Sequence, residues 1–210
     1  MYTMKGDRHY EYEFAGSFVG KVGPFDDKRH MLDVGSGTRA AMAKLAVSRG
    51  WVVEAVDLMP CDWRHTGFRM TLGDFRTVAL ARYAYDLIMC VSTIEHFGLP
   101  GRYDVTRYEV DADLEGMARI RKVCADGAQV VLTIPVGYDA VLSPYHRVYG
   151  VERLPRLLEG FKATQQKFFR KEGGVDDYVP CSYEEAMDEE PLLEPAHYAA
   201  LGCFVLERRG

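Results

Sequence analysis

Hydrophobic positions fall into short runs, separated by longer stretches in which apolar residues recur at helical spacing. The runs predict seven strands, near residues 30–34, 51–56, 67–71, 85–91, 128–134, 161–169 and 201–207. Strands that alternate with amphipathic helices are typical of a mostly parallel sheet covered by helices on both faces. We therefore predict an α/β fold with a Rossmann-like sheet.

Three stretches between these strands carry helix signals. "TRAAMAKLAVSRG" ends in Gly50, and glycine commonly follows the last turn of a helix. "ADLEGMARIRKVCADG" changes from acidic to basic residues towards Gly127, which complements the helix dipole. "VERLPRLLEG" places Pro155 in a first turn, where the missing backbone donor costs nothing. We expect a helix in each of these stretches.

The length of 210 residues and the hydrophobic content of 48% suit a single domain with one sizeable core. Within it we distinguish an N-terminal cap or lid at 1–28, a cofactor-binding core at 29–160 and an acidic insertion at 172–195. The insertion holds nine of the 31 acidic residues and neither Lys nor Arg. We expect it to form a long loop between the last two strands, either a solvated face or a surface that selects a basic substrate or partner.

Composition also restricts the class of partner and the compartment. The cysteines are odd in number and form no C-x-x-C pair, which favours a reducing cytoplasm over a disulfide framework or a zinc site; they are Cys61, Cys90, Cys124, Cys181 and Cys203. No apolar run approaches the ~18 residues of a membrane span. Basic residues form only short groups, which does not favour nucleic acid. The expected partner is a small-molecule acceptor, and a homodimer remains open.

The turn "MLDVGSGTRA" raises the question of which cofactor it binds. Its pattern Gly35-x-Gly37-x-x-Ala40 fits the dinucleotide fingerprint, in which backbone approaches a pyrophosphate. Asp33 lies two residues before Gly35, and its carboxylate would repel a pyrophosphate but attract a positively charged group. The residues therefore favour a cofactor that carries positive charge.

Two further acids suit an adenosine. Asp57 ends the second predicted strand, where a carboxylate can accept hydrogen bonds from both ribose hydroxyls. Asp74 can accept from an exocyclic amine, and the adjacent Phe75 offers an aromatic face to a purine. Together with Asp33, these residues point to an adenosine that bears a positive group.

These motifs resemble those of the class I S-adenosylmethionine-dependent methyltransferases. The resemblance rests on "LDVGSGT", Asp57, "GDF", "YDLIMCVSTIEHFG" and "GAQVVLTIPVG", and it covers roughly residues 29–160. It implies a seven-stranded sheet whose last strand is antiparallel, and S-adenosyl-L-methionine (SAM) as cofactor, with S-adenosyl-L-homocysteine (SAH) as product. "STIEHFGLPGRYD" with "HRVYG" is most similar to small methyltransferases associated with sugar and polysaccharide modification. One departure is Arg39, where the family commonly has a small residue.

The resemblance also implies a set of cofactor-binding residues. The glycine turn would surround the methionine part, Asp33 would lie near its ammonium group, and Asp57 would hold the ribose. Residues after the second and third strands would cover the adenine, and the end of the fourth strand would line the site. The full set is Asp33, Gly35, Ser36, Gly37, Asp57, Leu58, Met59, Asp74, Phe75, Cys90, Val91 and Ser92.

If the acceptor is a hydroxyl, a base must remove its proton, and histidine is well matched near neutral pH. His96 and His146 follow the fourth and fifth strands, at the sheet edge where open α/β folds bind ligands. We predict His146 as the base, with His96 and Glu95 shaping the pocket. The structural alternatives are that His146 is an ordinary loop histidine and that Glu95 and His96 only satisfy backbone donors at the start of a helix. We predict no metal, because Ser92 stands where a Glu-x-x-Glu-His cluster would have its first carboxylate.

The N-terminal segment "HYEYEFAGSFVGKVGPF" concentrates aromatic residues, namely Tyr10, Tyr12, Phe14, Phe18 and Phe25. It can cover a sheet edge, or it can be a lid over the sulfonium and the acceptor. The leading function is methyl transfer to a small hydroxylated acceptor such as a sugar or glycan. RNA or protein methylation, NAD-dependent oxidation and a non-catalytic cofactor-binding module are the alternatives.

Overall fold

The computed structural model describes residues 6–23, 29–101, 103, 105–172, 178–192 and 199–209. Its main sheet consists of β1 (His30–Val34), β2 (Val52–Asp57), β3 (Phe68–Leu72), β4 (Tyr85–Val91), β5 (Cys124–Val136), β8 (Phe161–Lys171), β9 (Tyr178–Cys181) and β10 (Ala200–Arg208). A separate hairpin pairs β6 (Ala140–Leu142) with β7 (His146–Val148). All seven predicted strands are present, and β6, β7 and β9 are additional.

The strands of the main sheet lie in the order β3-β2-β1-β4-β5-β10-β8-β9. The pairs from β3 to β5 are parallel, whereas β10 inserts antiparallel between β5 and β8. The predictions of an α/β fold and of an antiparallel last strand are therefore confirmed. The predicted number of seven strands is wrong, because the sheet has eight. The extra strand, β9, pairs antiparallel with the end of β8.

The helices are α1 (Asp7–Ser17), α2 (Ala41–Ser48), α3 (Ala112–Val123), α4 (Arg153–Leu157) and α5 (Tyr183–Met187), and a single 3-10 turn spans Ile94–His96. The predicted helix that was to end near Gly127 is shorter, because β5 begins directly after Val123. Cys124 already pairs with Tyr85 of β4, and a register shift follows in this ladder. The pairing of β5 with β4 therefore ends helix α3 at Val123.

The acidic stretch 172–195 is not simply a loop, because β9 and α5 lie within it. Helix α5 begins with a capping box: the Glu185 backbone donates to Ser182 Oγ at 3.1 Å, and the Ser182 backbone donates to the Glu185 carboxylate at 2.8 Å. This arrangement satisfies two backbone donors at the start of the helix. Ala186 and Met187 of α5 then bury against the sheet.

Neighbouring residues of a strand point to opposite faces of the sheet, and apolar side chains cover both of these faces. Met31 and Leu32 are both fully buried, but they belong to different clusters of the core. Helices α1 and α2 pack on one face, and α3, α4 and α5 pack on the other. Helix α1 lies across β4, β5 and β10 rather than along a sheet edge. In the described part of the chain, no helix combines the length and apolarity needed to cross a bilayer.

Candidate active site

A cavity of about 420 Å³ opens at the carboxyl ends of β1, β2, β3 and β4. Strand β1 pairs with β2 on one side and β4 on the other, so the cavity lies where the strand order reverses. Open α/β sheets bind their ligands at such switch points. The cavity is therefore the candidate active site.

The glycine turn that follows β1 forms one wall of this cavity. A Cβ atom at Gly35 would lie 2.2 Å from the side chain of Thr93, and Gly35 has a φ of 73°. At Gly37 the φ is 63°, but a Cβ atom would have no heavy atom within 4 Å. Gly35 is thus required by both packing and conformation, whereas Gly37 is required by conformation alone.

Asp33 is buried beside the turn, with 3% of its surface exposed. Its Oδ2 atom has no hydrogen-bond partner among the described residues. Burial raises the pKa of Asp33 to about 7, a hydrogen bond from the Ala43 backbone opposes this, and the charge of Asp57 adds to it. A buried carboxylate oxygen without a partner is costly, so this end of the cavity favours a ligand that brings a cation or a hydrogen-bond donor.

Asp57 links the end of β2 to the glycine turn. Its Oδ2 accepts a hydrogen bond from the Gly37 backbone at 2.8 Å, and its Oδ1 accepts one from the Met59 backbone at 2.7 Å. Leu58 and Met59 are 44% and 42% exposed at the rim of the cavity. Asp57 therefore fixes the shape of the turn and still presents its carboxylate to the cavity.

Asp74 is engaged by Arg76, a cavity-lining residue that the sequence reasoning missed. The Arg76 guanidinium donates to Asp74 Oδ2 at 2.7 Å, and it also pairs with Glu109 and with Glu115. Burial alone would raise the pKa of Asp74, but hydrogen bonds and charge from Arg76 outweigh it and lower the pKa. Asp74 is therefore a fixed anion in this wall.

Ser92, Glu95 and His96 follow β4. Ser92 has a φ of 47°, and its hydroxyl donates to Glu95 Oε1 at 2.9 Å. His96 Nδ1 hydrogen-bonds the Tyr145 carbonyl oxygen, which can only accept, so Nδ1 carries a proton. His96 Nε2 lies 3.6 Å from Glu95 Oε1. In the neutral ring, Nε2 is thus the basic nitrogen, beside a carboxyl group that would stabilise the imidazolium.

The cavity brings most of the predicted residues together. Every predicted cofactor-binding residue except Cys90 lines it, and His96 lines it too. Cys90, Glu95 and His146 are buried and do not line the cavity, so these three lie behind its surface. Burial raises the pKa of Glu95, and the hydrogen bond from Ser92 and the charges of Arg8 and His146 only partly oppose this.

Helix α1 adds two residues to the cavity lining, Arg8 and Tyr12. The other aromatics of this segment pack elsewhere: Tyr10 contacts Phe169 and Tyr178, and Phe14 contacts Phe18. The predicted lid residue Phe25 lies outside the described residues. The opposite wall includes Phe97, Gly98, Tyr103 and Val105, which the sequence reasoning did not single out because only tertiary structure brings them to the cavity.

Comparison with known proteins identifies a family. Residues 65–174 match the family model described as Caenorhabditis protein of unknown function, DUF268, and the match covers more than half of the chain. The chain belongs to the DUF268 family. No curated protein matches this DUF268 chain.

Solved structures resemble this DUF268 protein in fold. The N-methyltransferase NodS from Bradyrhizobium japonicum WM9, in complex with SAH, has a TM-score of 0.61 at 14% identity, covering 97% of this chain and 87% of its own. The 1,6-didemethyltoxoflavin-N1-methyltransferase of Burkholderia thailandensis has a TM-score of 0.59 at 13% identity, covering 95% and 77%. Phosphoethanolamine N-methyltransferase 2 of Haemonchus contortus has a TM-score of 0.56 at 16% identity, covering 80% and 40%. The DUF268 chain therefore has the class I methyltransferase fold.

The two glycines of the turn provide a test of its geometry. Gly35→Ala should destabilise the protein more than Gly37→Ala, because only the first substitution drives a methyl group into Thr93. We expect the difference in the free energy of unfolding to be ~1–3 kcal/mol, the usual cost of overpacking. Urea unfolding of both variants measures it. Equal losses would show that Gly35 and Thr93 are not in close contact.

Proposed function

We propose that this protein is a SAM-dependent methyltransferase that transfers a methyl group to a hydroxyl of a small acceptor, with a sugar or glycan as the leading candidate. The observation that carries the proposal is the buried Asp33 carboxylate, whose Oδ2 lacks a partner among the described residues beside the glycine turn. A pyrophosphate would be repelled there, whereas an ammonium group next to a sulfonium would be attracted. The class I methyltransferase fold supports the same ligand.

In this proposal the cavity wall binds the cofactor in three parts. Asp33 and the Gly35–Gly37 turn would hold the methionine part, and Asp57 would hold the ribose through the lone pairs that its two backbone contacts leave over. Leu58 and Met59 would cover one face of the adenine and Phe75 the other. Asp74 would accept from the adenine amine beside Arg76. Cys90 would support this wall from behind.

When bound, SAM supplies an electrophilic methyl group on a sulfonium. The chain has to hold the acceptor oxygen in line with the carbon–sulfur bond that breaks, so positioning provides most of the rate. The new oxygen–carbon bond forms as SAH leaves, and the hydroxyl proton goes to a base. Tyr12, Phe97 and Tyr103 would border the acceptor and exclude water.

We assign the base role to His96 rather than to His146, the residue that the sequence favoured. His96 lines the cavity, and because its Nδ1 donates to the Tyr145 carbonyl, Nε2 is the nitrogen that would take the proton. Glu95 would stabilise the resulting imidazolium from 3.6 Å. His146 is buried behind Glu95 and would act through that carboxyl.

Isothermal titration with SAM, SAH and NAD at neutral pH, without added metal, tests the cofactor. We expect heat from SAM and SAH and none from NAD, because only the first two bring an ammonium group to Asp33. Asp62→Ala removes an exposed acid outside the cavity and should keep the affinity for SAM and SAH, so it is the net-charge control for the Asp33→Asn variant. Binding of NAD alone would assign the turn to an oxidoreductase.

Asp33→Asn separates ligand binding from stability. Burial raises the pKa of Asp33 from 3.8 to about 7, so this carboxyl ionises at a lower pH in the unfolded chain than in the folded protein. The free energy of unfolding of the ligand-free protein therefore falls as the pH rises between these two values, and it stays lower at higher pH. The neutral variant should therefore be more stable than the wild type at about pH 8, by on the order of 2–4 kcal/mol, and similar near pH ~4. Its SAH affinity should fall by ~1–3 kcal/mol. Thermal unfolding and titration measure both; unchanged SAH affinity would remove Asp33 from the cofactor site.

Methyl transfer from radiolabelled SAM to a panel of monosaccharides, nucleotide sugars and oligosaccharides tests the base and the acceptor class. His96→Gln should reduce the rate ~10²–10⁴-fold, the usual contribution of a general base, with SAH affinity retained. His146→Gln is the matched variant and should lose less. A larger loss of rate in His146→Gln would return the base role to His146. Methyl transfer only to the amines of a second panel would show that the acceptor is an amine and not a hydroxyl.

A further inference from the structure

Glu11 is an unusual residue for the middle of helix α1, because its side chain is fully buried. It shares this burial with Ala15, one turn further along the same helix. An apolar residue of similar size would pack there without the cost of removing a carboxyl group from water. Burial, opposed by the nearby charge of Arg8, raises the pKa of Glu11 to about 7. The position therefore requires a reason other than helix packing.

Glu11 is the first member of a hydrogen-bonded chain that leads to the candidate active site. Thr133 Oγ1 of β5 donates to Glu11 Oε1 at 2.8 Å. The Ser92 backbone N–H donates to Thr133 Oγ1 at 3.0 Å, and the Ser92 hydroxyl donates to Glu95 Oε1 at 2.9 Å. Glu95 in turn lies 3.6 Å from the Nε2 atom of His96. Helix α1 is thus connected to the imidazole through β5 and the end of β4.

The direction of these hydrogen bonds makes the chain specific. A threonine hydroxyl has a single proton, and Thr133 donates it to Glu11, so its lone pairs face the Ser92 backbone. Ser92 is held at a positive φ of 47°, which is unfavourable for a residue with a side chain. Its N–H donates both to the Thr133 hydroxyl at 3.0 Å and to the Thr133 carbonyl at 3.1 Å, and its own hydroxyl donates to Glu95, so that three hydrogen bonds hold it there. Without Glu11, the Thr133 hydroxyl would be able to rotate and Ser92 would lose part of this constraint.

Helix α1 reaches the cavity with the same face. Arg8 and Tyr12 line the cavity, while Glu11 lies buried between them, with Arg8 Nη1 at 3.2 Å from Glu11 Oε2. Residues at positions i, i+3 and i+4 lie on one side of a helix. When α1 packs on the sheet, it therefore completes the cavity wall and the hydrogen-bonded chain in one step.

We propose that Glu11 is a positioning residue of the active site: through Thr133 and Ser92 it holds the Glu95 carboxyl group opposite His96, so that the imidazole is correctly set only when helix α1 is packed on the sheet. The inference rests on the proposed function for the role of His96, but not for the geometry. The charged and titratable groups that act on Glu11 are Asp7 and Arg8 of α1 and Glu95 of the β4 edge, and Glu11 in turn acts on Cys203 of β10. The charges of Arg8 and His146 also act on the Glu95 carboxyl group.

NMR titration of histidine-labelled protein tests this link without an acceptor or a cofactor. The His96 resonance is assigned by its absence in His96→Gln. We expect Glu11→Gln and Thr133→Val each to lower the pKa of the His96 imidazole by about half a unit or more, because Glu95 no longer has a fixed position near Nε2. Thr133→Val is informative because it keeps the carboxyl group of Glu11. The double variant should show no further shift, since both changes break one chain.

Two control variants separate positioning from a general effect. Glu13→Gln removes an exposed acid from the same helix, and Thr133→Ser keeps the hydroxyl; both should retain the wild-type pKa of His96. An unchanged pKa in folded Glu11→Gln and Thr133→Val would overturn the proposal, as would an equal shift in Glu13→Gln. If Thr133→Val fails to fold, a wild-type pKa in Glu11→Gln alone also overturns it. SAH titration of the same samples tests the cofactor separately, so failure of the proposed function would leave the NMR result intact.

Discussion

The parallel pairing of β1 with both β2 and β4 is the constraint on which the site depends. Because β1 has a parallel neighbour on each side, the chain leaves its carboxyl end between two diverging connections, and a crevice opens there. The segments that follow β1, β2, β3 and β4 all meet in this crevice. Apolar burial on both faces of these strands supplies the main favourable free energy of the fold, and it allows polar groups at the strand ends to remain in costly positions.

Asp113 of α3 is buried in an ion pair with Arg153. Three other buried carboxyl groups of the described residues lie near this end of the sheet, namely Asp33, Glu11 and Glu95. Burial is the largest cause of the raised pKa of each. A core selected for stability alone would replace them with apolar residues, so their presence at one end of the sheet indicates a requirement of ligand binding or catalysis. Asp33 faces the cavity directly, whereas Glu11 and Glu95 lie behind it and are joined by two hydroxyl groups.

The sequence predicted those parts of the fold that local pattern controls. Apolar runs located every long strand, and the glycine turn with Asp57 identified one cavity wall, because strand ends and turn chemistry are encoded by neighbouring residues. Strand β9 was not predicted because it has only four residues, contains Pro180 and lies in a stretch dominated by acidic residues. Glu11 was missed because tertiary packing decides its role: as an acid within a helix it is indistinguishable from the exposed Glu13 until packing buries one and not the other.

Arginine side chains fix the segment that forms the wall opposite α1. Fully buried Arg147 of β7 donates to the backbone carbonyls of Phe97 and Glu109, the two ends of the segment that contributes Tyr103 to the cavity. The side chain of Glu109 pairs with Arg76, which also holds Asp74 at the proposed adenine end. The proposed acceptor and cofactor regions therefore share one network of hydrogen bonds and ion pairs, and it lies within residues 65–174, the part that matches the DUF268 model. The glycine turn and Asp57 lie outside that match, whereas Asp74, Phe75 and the segment that contributes Tyr103 lie inside it, so the matched part of the chain contributes to both regions of the cavity.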